Sequence, residues 1–256
     1  MPQFAANLSM LFNEVPFLDR FQAAQEAGFD AVEFLFPYAY PAGEVAGRLQ
    51  DNGLRQVLFN APPGDWDAGE RGTAALADRV SEFRDSIGLA LECARALDCK
   101  TLHVMAGLVP EGADRDAMLS CYIENIRYAC DECIKAGITI SLEPLNVYDV
   151  PGYLVSRLDQ LADVIEQVDR PNVGIQFDFY HVQIMQGDLA RHFEQYLDLT
   201  AHIQIAGVPE RHEPNTGEVN YAYLFQLMDR LGYDGYVGCE YKPRGNTLDG
   251  LGWLFD

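Results

Sequence analysis

NVGIQFDF, residues 172–179, is an apolar run broken near its far end by one acid, Asp178. A short run this apolar reads as a strand covered on both faces, as strands of parallel sheets are. It lies between two helical runs, RLDQLADVIEQVD (157–169) and DLARHFEQYLDL (188–199). The alternation continues in both directions. Strand-like runs occur at FAANLS (4–9), DAVEFLF (30–36), RQVLFNA (55–61), TLHVMA (101–106), ITISLEP (138–144), AHIQIAG (201–207) and YVGCEY (236–241). Between them lie FLDRFQAAQEAG (17–28), EVAGRLQDNG (44–53), a long run at 75–98, DAMLSCYIENIRYACDECIKAG (116–137) and YAYLFQLMDRLG (221–232). Gly28, Gly53, Gly137 and Gly232 stand just past helical runs, where a left-handed residue closes a helix. AGFDAVEF (27–34) and LGYDGYVGCE (231–240) repeat one order of helix end, Gly, aromatic, Asp and strand, a weak internal echo.

Strict alternation of strands and helices implies a parallel sheet. Eight such units in 256 residues imply closure into a (β/α)₈ TIM barrel, read as a single domain over residues 1–256. The last helical unit, around LDGLGWLFD (248–256), is short. No G-x-G-x-x-G follows the first strand, which weighs against a dinucleotide site.

Composition narrows the function. A net charge of −21 opposes a nucleic-acid surface, which needs clustered Lys and Arg. No apolar run is long enough for a membrane span and no signal peptide is recognised, so a cytoplasmic protein is expected. The six cysteines fit a reduced compartment, and Cys130 and Cys133 form a lone CxxC late in a helical run, where ordinary helix residues are expected.

In barrels of this kind, chemistry sits at the C-terminal strand ends. Glu143, Asp178, Gln204 and Glu240 each stand near the end of a strand-like run in consecutive units, at intervals of 35, 26 and 36 residues. One unit averages about 32 residues, so the four reach a common level. Three converging carboxylates repel unless protonated or neutralised, and a divalent cation removes the conflict. Oxygen ligands alone point to a hard ion, Mg²⁺ or Mn²⁺, and Gln204 adds a neutral oxygen. Asn7, Glu33, Asn60 and His103 are weaker inward candidates. His181 follows Asp178 by three positions and is a candidate to hydrogen-bond substrate. Arg211 and His212 in VPERHEP (208–214), with Lys242 and Arg244 in YKPRG (241–245), are candidates to hold a substrate carboxylate.

VPERHEP and the stretch from Gly217 to Gly245 that ends in GCEYKPRG resemble the hydroxypyruvate isomerase family. That family lies among the xylose-isomerase-like barrels, with ketose 3-epimerases as relatives. The resemblance covers nearly the whole chain, and GCEYKPRG (238–245) is its most specific segment. It implies a (β/α)₈ barrel, a divalent metal held by Glu143, Asp178, Gln204 and Glu240, and a catalytic pair of Glu143 and Glu240. SLEPLNVYD (141–149) is similar to a run in the ketose epimerases, but Asp149 stands where those usually carry Glu, and Gln204 where they usually carry His. Both departures favour the hydroxypyruvate isomerase branch. The expected reaction interconverts hydroxypyruvate and tartronate semialdehyde through an enediolate. Isomerisation of a 2-oxo-tetronate to its 3-oxo isomer is the alternative, and ketose 3-epimerisation a remoter one. The expected partner is a small anionic sugar acid, and a homo-oligomer stays open. A DNA-repair endonuclease would need several His ligands and a basic face, and a non-catalytic barrel would bind without exchanging a C–H proton.

Overall fold

The computed structural model describes residues 1–254. Eight parallel strands close a barrel in chain order: β1 (Gln3–Asn7), β2 (Ala31–Glu33), β3 (Arg55–Asn60), β4 (Thr101–His103), β5 (Thr139–Leu142), β6 (Val173–Asp178), β7 (Thr200–Ile205) and β8 (Tyr236–Cys239), which pairs back onto β1. Around them run α1 (Arg20–Glu26), α2 (Ala42–Asp51), α3 (Val80–Leu97), α4 (Arg115–Cys133), α5 (Leu158–Val168), α6 (Phe179–Met185), α7 (Leu189–Tyr196) and α8 (Tyr221–Leu231). The barrel expected from the sequence is the barrel observed. After β8 the chain forms only a 3₁₀ segment, Thr247–Leu254, where the sequence showed a short last unit. None of the described helices is long and apolar enough to cross a membrane.

The four helix-closing glycines share one device. Each has positive φ, and the residue after it donates to the carbonyl five positions back: Phe29 to Ala24, Leu54 to Leu49, Ile138 to Cys133, Tyr233 to Met228. That closure needs a left-handed residue at the turn, which glycine adopts without a Cβ penalty. The echo at 27–34 and 231–240 is therefore one turn built twice.

Two features of β6 place the site. Its reading ran one residue too far in the sequence, because Asp178 ends the strand and begins α6 at once. The Asp178 side chain accepts from the Tyr180 amide at 2.8 Å, capping the helix with Oδ1 and leaving Oδ2 free. In register, Asp178 lies beside Gln204, and Gln204 beside Gly238. Glu240 stands two residues higher, just past β8.

The apolar core fills the ring between strands and helices, with Phe21, Ile87, Ile126, Leu161 and Phe193 buried in it. Cys130 and Cys133 are buried in the same layer, and burial pushes both thiols up to about 12, as ordinary core residues. The barrel interior is polar instead. Buried Glu33 accepts from Asn7 Nδ2 at 2.9 Å and Gln204 Nε2 at 2.8 Å, and lies 2.6 Å from His202 Nε2. Gly238 leaves it room, since a Cβ there would come within 2.2 Å of Glu33 Oε2.

Two glycines separate backbone cost from crowding. Gly232 has nothing within 4 Å of an added Cβ. Gly232→Ala should therefore lower unfolding stability by about 1 kcal/mol, the penalty of the left-handed conformation alone. Gly238→Ala, which also displaces Glu33, should cost more; urea denaturation of both variants measures the difference, and equal losses would refute the crowding at Glu33.

Candidate active site

A cavity of about 370 Å³ opens at the C-terminal end of the barrel. Its floor carries Asn60, His103, Glu143, Gln176 and Glu240, and its walls include Met10, Trp66, Arg71, Asp149, His181, Arg211 and Lys242. A slightly larger cavity, about 420 Å³, lies between α8 and Trp253, but it gathers no cluster of acids or histidines.

The two glutamates are tied together beneath the cavity by two amides. Gln176 Nε2 donates to Glu143 Oε2 at 3.1 Å and to Gln204 Oε1 at 2.6 Å, while Gln204 Nε2 donates to Glu240 Oε2. Ser141 donates to Gln176 Oε1 at 3.0 Å, which fixes the direction of that amide. Gln204 thus turns its nitrogen to Glu33 and Glu240 and its oxygen to Gln176. Two carboxylates on one side and an amide N–H on the other favour this orientation.

Two other carboxylate oxygens lie close to His181. Glu143 Oε1 and Asp178 Oδ2 are buried without a hydrogen-bond partner, a costly state for a carboxylate. Each stands near His181 Nε2, at 3.8 and 3.6 Å. Together the three residues place one ligand-type atom each within 4.8 Å of one another, a candidate cation site. His181 is better suited as a donor than as a ligand. Its Nδ1 accepts the Asn146 backbone N–H at 3.1 Å, so the proton of the neutral ring lies on Nε2. Burial, then Arg211, holds its pKa well below the usual value, so the ring stays neutral.

Arg211 is the counter-charge of the cluster. Its Nη2 donates to Glu240 Oε1 at 2.7 Å and lies 3.6 Å from Asp178 Oδ2; Nη1 lies 3.9 Å from Asp149 Oδ2. The guanidinium sits over the Tyr180 ring, 4.8 Å from its centre. Burial works against its charge, but Glu240, Asp178 and Glu143 outweigh burial and its pKa is raised. Its backbone is left-handed, with φ 59°, a conformation that a non-glycine residue takes at some cost.

Crowding shifts the acids upward. Burial raises Glu143 well above the carboxylate range, with Asp178 and Glu240 adding to it. Burial raises Glu240 to about 8 and Asp178 to about 6, with Arg211 opposing in both. His103, buried and without a hydrogen-bond partner at either nitrogen, is pushed down to about 3 by burial and by His202.

The candidates from the sequence divide accordingly. Glu143, Asp178, Gln204, Glu240, His181 and Arg211 come together, and Lys242 reaches the cavity wall. His212 and Arg244 do not line it. His212 Nδ1 lies 2.7 Å from the Lys242 carbonyl, and Arg244 Nε pairs with buried Glu213 at 3.2 Å, so both brace loops. Gln176, Asn146, Trp66 and Arg71 were not anticipated. Gln176 stands two residues before Asp178, as Ser141 does before Glu143 and His202 before Gln204. The period of two along a strand points all of these inward, a signal present in the sequence.

Known proteins match this chain along nearly its whole length. Residues 21–256 match the xylose isomerase-like TIM-barrel family. The 2-oxo-tetronate isomerase of Cupriavidus necator is 54% identical over 254 residues, covering 99% of this chain and 98% of its own. The hydroxypyruvate isomerase of Escherichia coli is 44% identical, also over 254 residues, covering 99% and 98%. A crystal structure from Brucella melitensis, described as an AP endonuclease of family 2, superimposes with a TM-score of 0.98 at 54% identity, covering 100% of this chain and 98% of the other. The chain belongs to the xylose isomerase-like TIM-barrel family, as an isomerase of its hydroxypyruvate and 2-oxo-tetronate isomerase branch.

Proposed function

We propose that this protein interconverts the 2-oxo and 3-oxo forms of a small hydroxy-oxo acid, with a four-carbon 2-oxo-tetronate as first substrate and hydroxypyruvate as the alternative. The observation that carries the reaction type is the pair of buried glutamates, Glu143 and Glu240, joined through Gln176 and Gln204 beneath one cavity. The higher identity to a 2-oxo-tetronate isomerase, 54% against 44%, supports the four-carbon acid over the three-carbon acid favoured on sequence alone.

Moving a carbonyl to the adjacent carbon requires loss of a proton beside it and return of a proton to the neighbour, through an enediolate. Glu143 and Glu240, at the ends of β5 and β8, supply two buried carboxyl groups whose pKa values burial raises, Glu240 to about 8. A group that titrates near the working pH both takes and gives protons efficiently. Their lower oxygens are held by amides, which aims Glu143 Oε1 at the cavity. His181 offers an Nε2–H to a substrate oxygen. Arg211 compensates charge as it builds.

A divalent cation suits the donor set, because Glu143 Oε1 and Asp178 Oδ2 lack hydrogen-bond partners and carboxylate oxygens favour a hard ion. We propose Mg²⁺ or Mn²⁺, held by Glu143, Asp178, Glu240 and Gln204. Using Gln204 Oε1 gives up its hydrogen bond from Gln176. When bound, the ion supplies Lewis-acid stabilisation of the enediolate oxygens. A DNA-cleaving role is disfavoured by the net charge of −21 and by a single histidine in the candidate cation site.

Incubation in D₂O with Mg²⁺ and each acid, followed by NMR, tests the reaction. Deuterium should enter the carbon beside the carbonyl as the isomer accumulates. Glu143→Gln and Glu240→Gln should each slow this by roughly 10²- to 10⁴-fold. Absence of exchange with both acids in the unaltered protein would overturn the reading.

The raised acids also predict a pH dependence. Glu240 and Asp178 have higher pKa values folded than unfolded, about 8 against 4.5 and about 6 against 3.8. Their contribution to metal-free stability is full below the unfolded values and is lost as pH rises through the folded ones. Because a cation replaces those protons, Mg²⁺ should raise the melting temperature more at pH 8 than at pH 6. Thermal scans with chelator and with Mg²⁺ measure this, and an equal or larger rise at pH 6 would contradict it.

A further inference from the structure

We infer that Arg71, on the loop between β3 and α3, is the residue that grips the substrate's carboxylate; this rests on the hydroxy-oxo acid reading above. The cations in and around the cavity are mostly committed. Arg211 is taken by Glu240, Asp178 and Asp149, and Arg244 by Glu213. Among the described residues, Arg71 and Lys242 are the cavity-lining cations with no carboxylate within ion-pair distance. An acid substrate entering between Glu143, Asp178, Asp149 and Glu240 needs an unspent positive charge at its other end.

Arg71 is built for that task. Its guanidinium lies over the Trp66 indole, 3.7 Å from the ring centre, which fixes its plane and leaves its edge open. Nη1 donates to the carbonyls of Glu70, at 2.7 Å, and Trp66, at 3.3 Å, while Nε and Nη2 carry no hydrogen bond to the protein. An oriented guanidinium with two free donors matches the two oxygens of a carboxylate, which an ammonium does not.

The loop holds Arg71 from both sides. Glu70 pairs with Arg79 and accepts from the Asp65 amide at 2.6 Å. Gly72 has φ +114°, and a Cβ there would come within 2.2 Å of the Met105 carbonyl just past β4. Its amide donates to the Pro63 carbonyl at 2.9 Å. The arginine is thus fixed to the barrel rim by its neighbours, and its own side chain is spent only on local carbonyls. A wider hollow of about 720 Å³ adjoins the cavity at Trp66 and Lys242.

The test compares an acid with its uncharged counterpart. In Arg71→Ala, KM for 2-oxo-tetronate should rise about 10- to 100-fold with kcat within a few-fold. In erythrulose CH₂OH replaces the carboxylate. Exchange of the erythrulose C3–H with D₂O, read by NMR because moving the carbonyl of this ketose regenerates the same compound, should be unchanged. Arg71→Lys should restore only part of the loss. Equal losses with acid and ketose, or an unaltered KM for the acid, would overturn the assignment. A binding arm separates this from the reaction itself. Erythronate should change the fluorescence of Trp66 in the unaltered protein and not in Arg71→Ala, and erythritol in neither. If no acid is turned over but erythronate binding depends on Arg71, the reaction reading fails and the clamp stands; if erythronate causes no Arg71-dependent change, the clamp fails.

Discussion

Three carboxyl groups withdrawn from solvent, Glu143, Asp178 and Glu240, and the exposed Asp149 gather around one guanidinium, that of Arg211. This crowding of charge is the constraint on which the rest depends. With burial, it raises the pKa values of Glu143 and Glu240, while burial and the charge of Arg211 keep His181 neutral. Buried negative charge is tolerated when it is protonated or paired with a cation and hydrogen-bonded. Among the described residues, Arg211 is the one arginine paired with these acids, and two of their oxygens have no hydrogen-bond partner. Protons relieve that imbalance in the free protein, and in the proposed function a divalent ion would take their place.

The polar interior beneath the site keeps this arrangement rigid. Glu33, Asn7, His202, Gln204 and Gln176 form one connected network from the barrel centre to both glutamates. A buried network of this kind stabilises only when every member is satisfied, and it then fixes one geometry. Gly238 belongs to it by absence, since any side chain there would displace Glu33. The barrel thus sets Glu143 and Glu240 on a polar layer held by strands, while the loops above supply Arg71, Asp149 and Arg211 to the cavity wall.

Much of this was legible in the sequence. Apolar runs such as NVGIQFDF announce a parallel sheet because both faces must be buried, and the spacing of Glu143, Asp178, Gln204 and Glu240 follows from one strand per repeat. The polar layer was legible as well, in Ser141, Gln176 and His202 two residues before the first three of these positions, but only once the strands are known to face a common interior. The loops were less so. Arg244 and His212 look like substrate contacts in the sequence, yet buried Glu213 captures one and the Lys242 carbonyl holds the other. Arg71 carries no periodic signal, and its place depends on the close approach of Gly72 to Met105. Strand positions are set by a local period, whereas loop positions are set by contacts with distant residues.

The central claim is that the unpartnered oxygens of Glu143 and Asp178 are the anchor of a cation around which the two glutamates work. Anomalous diffraction from crystals grown with Mn²⁺ tests it most directly. The account predicts one strong peak bonded to Glu143 Oε1 and Asp178 Oδ2, with Arg211 moved off Glu240. A full-occupancy ion bound elsewhere, or no peak in this cavity at saturating Mn²⁺, would contradict it.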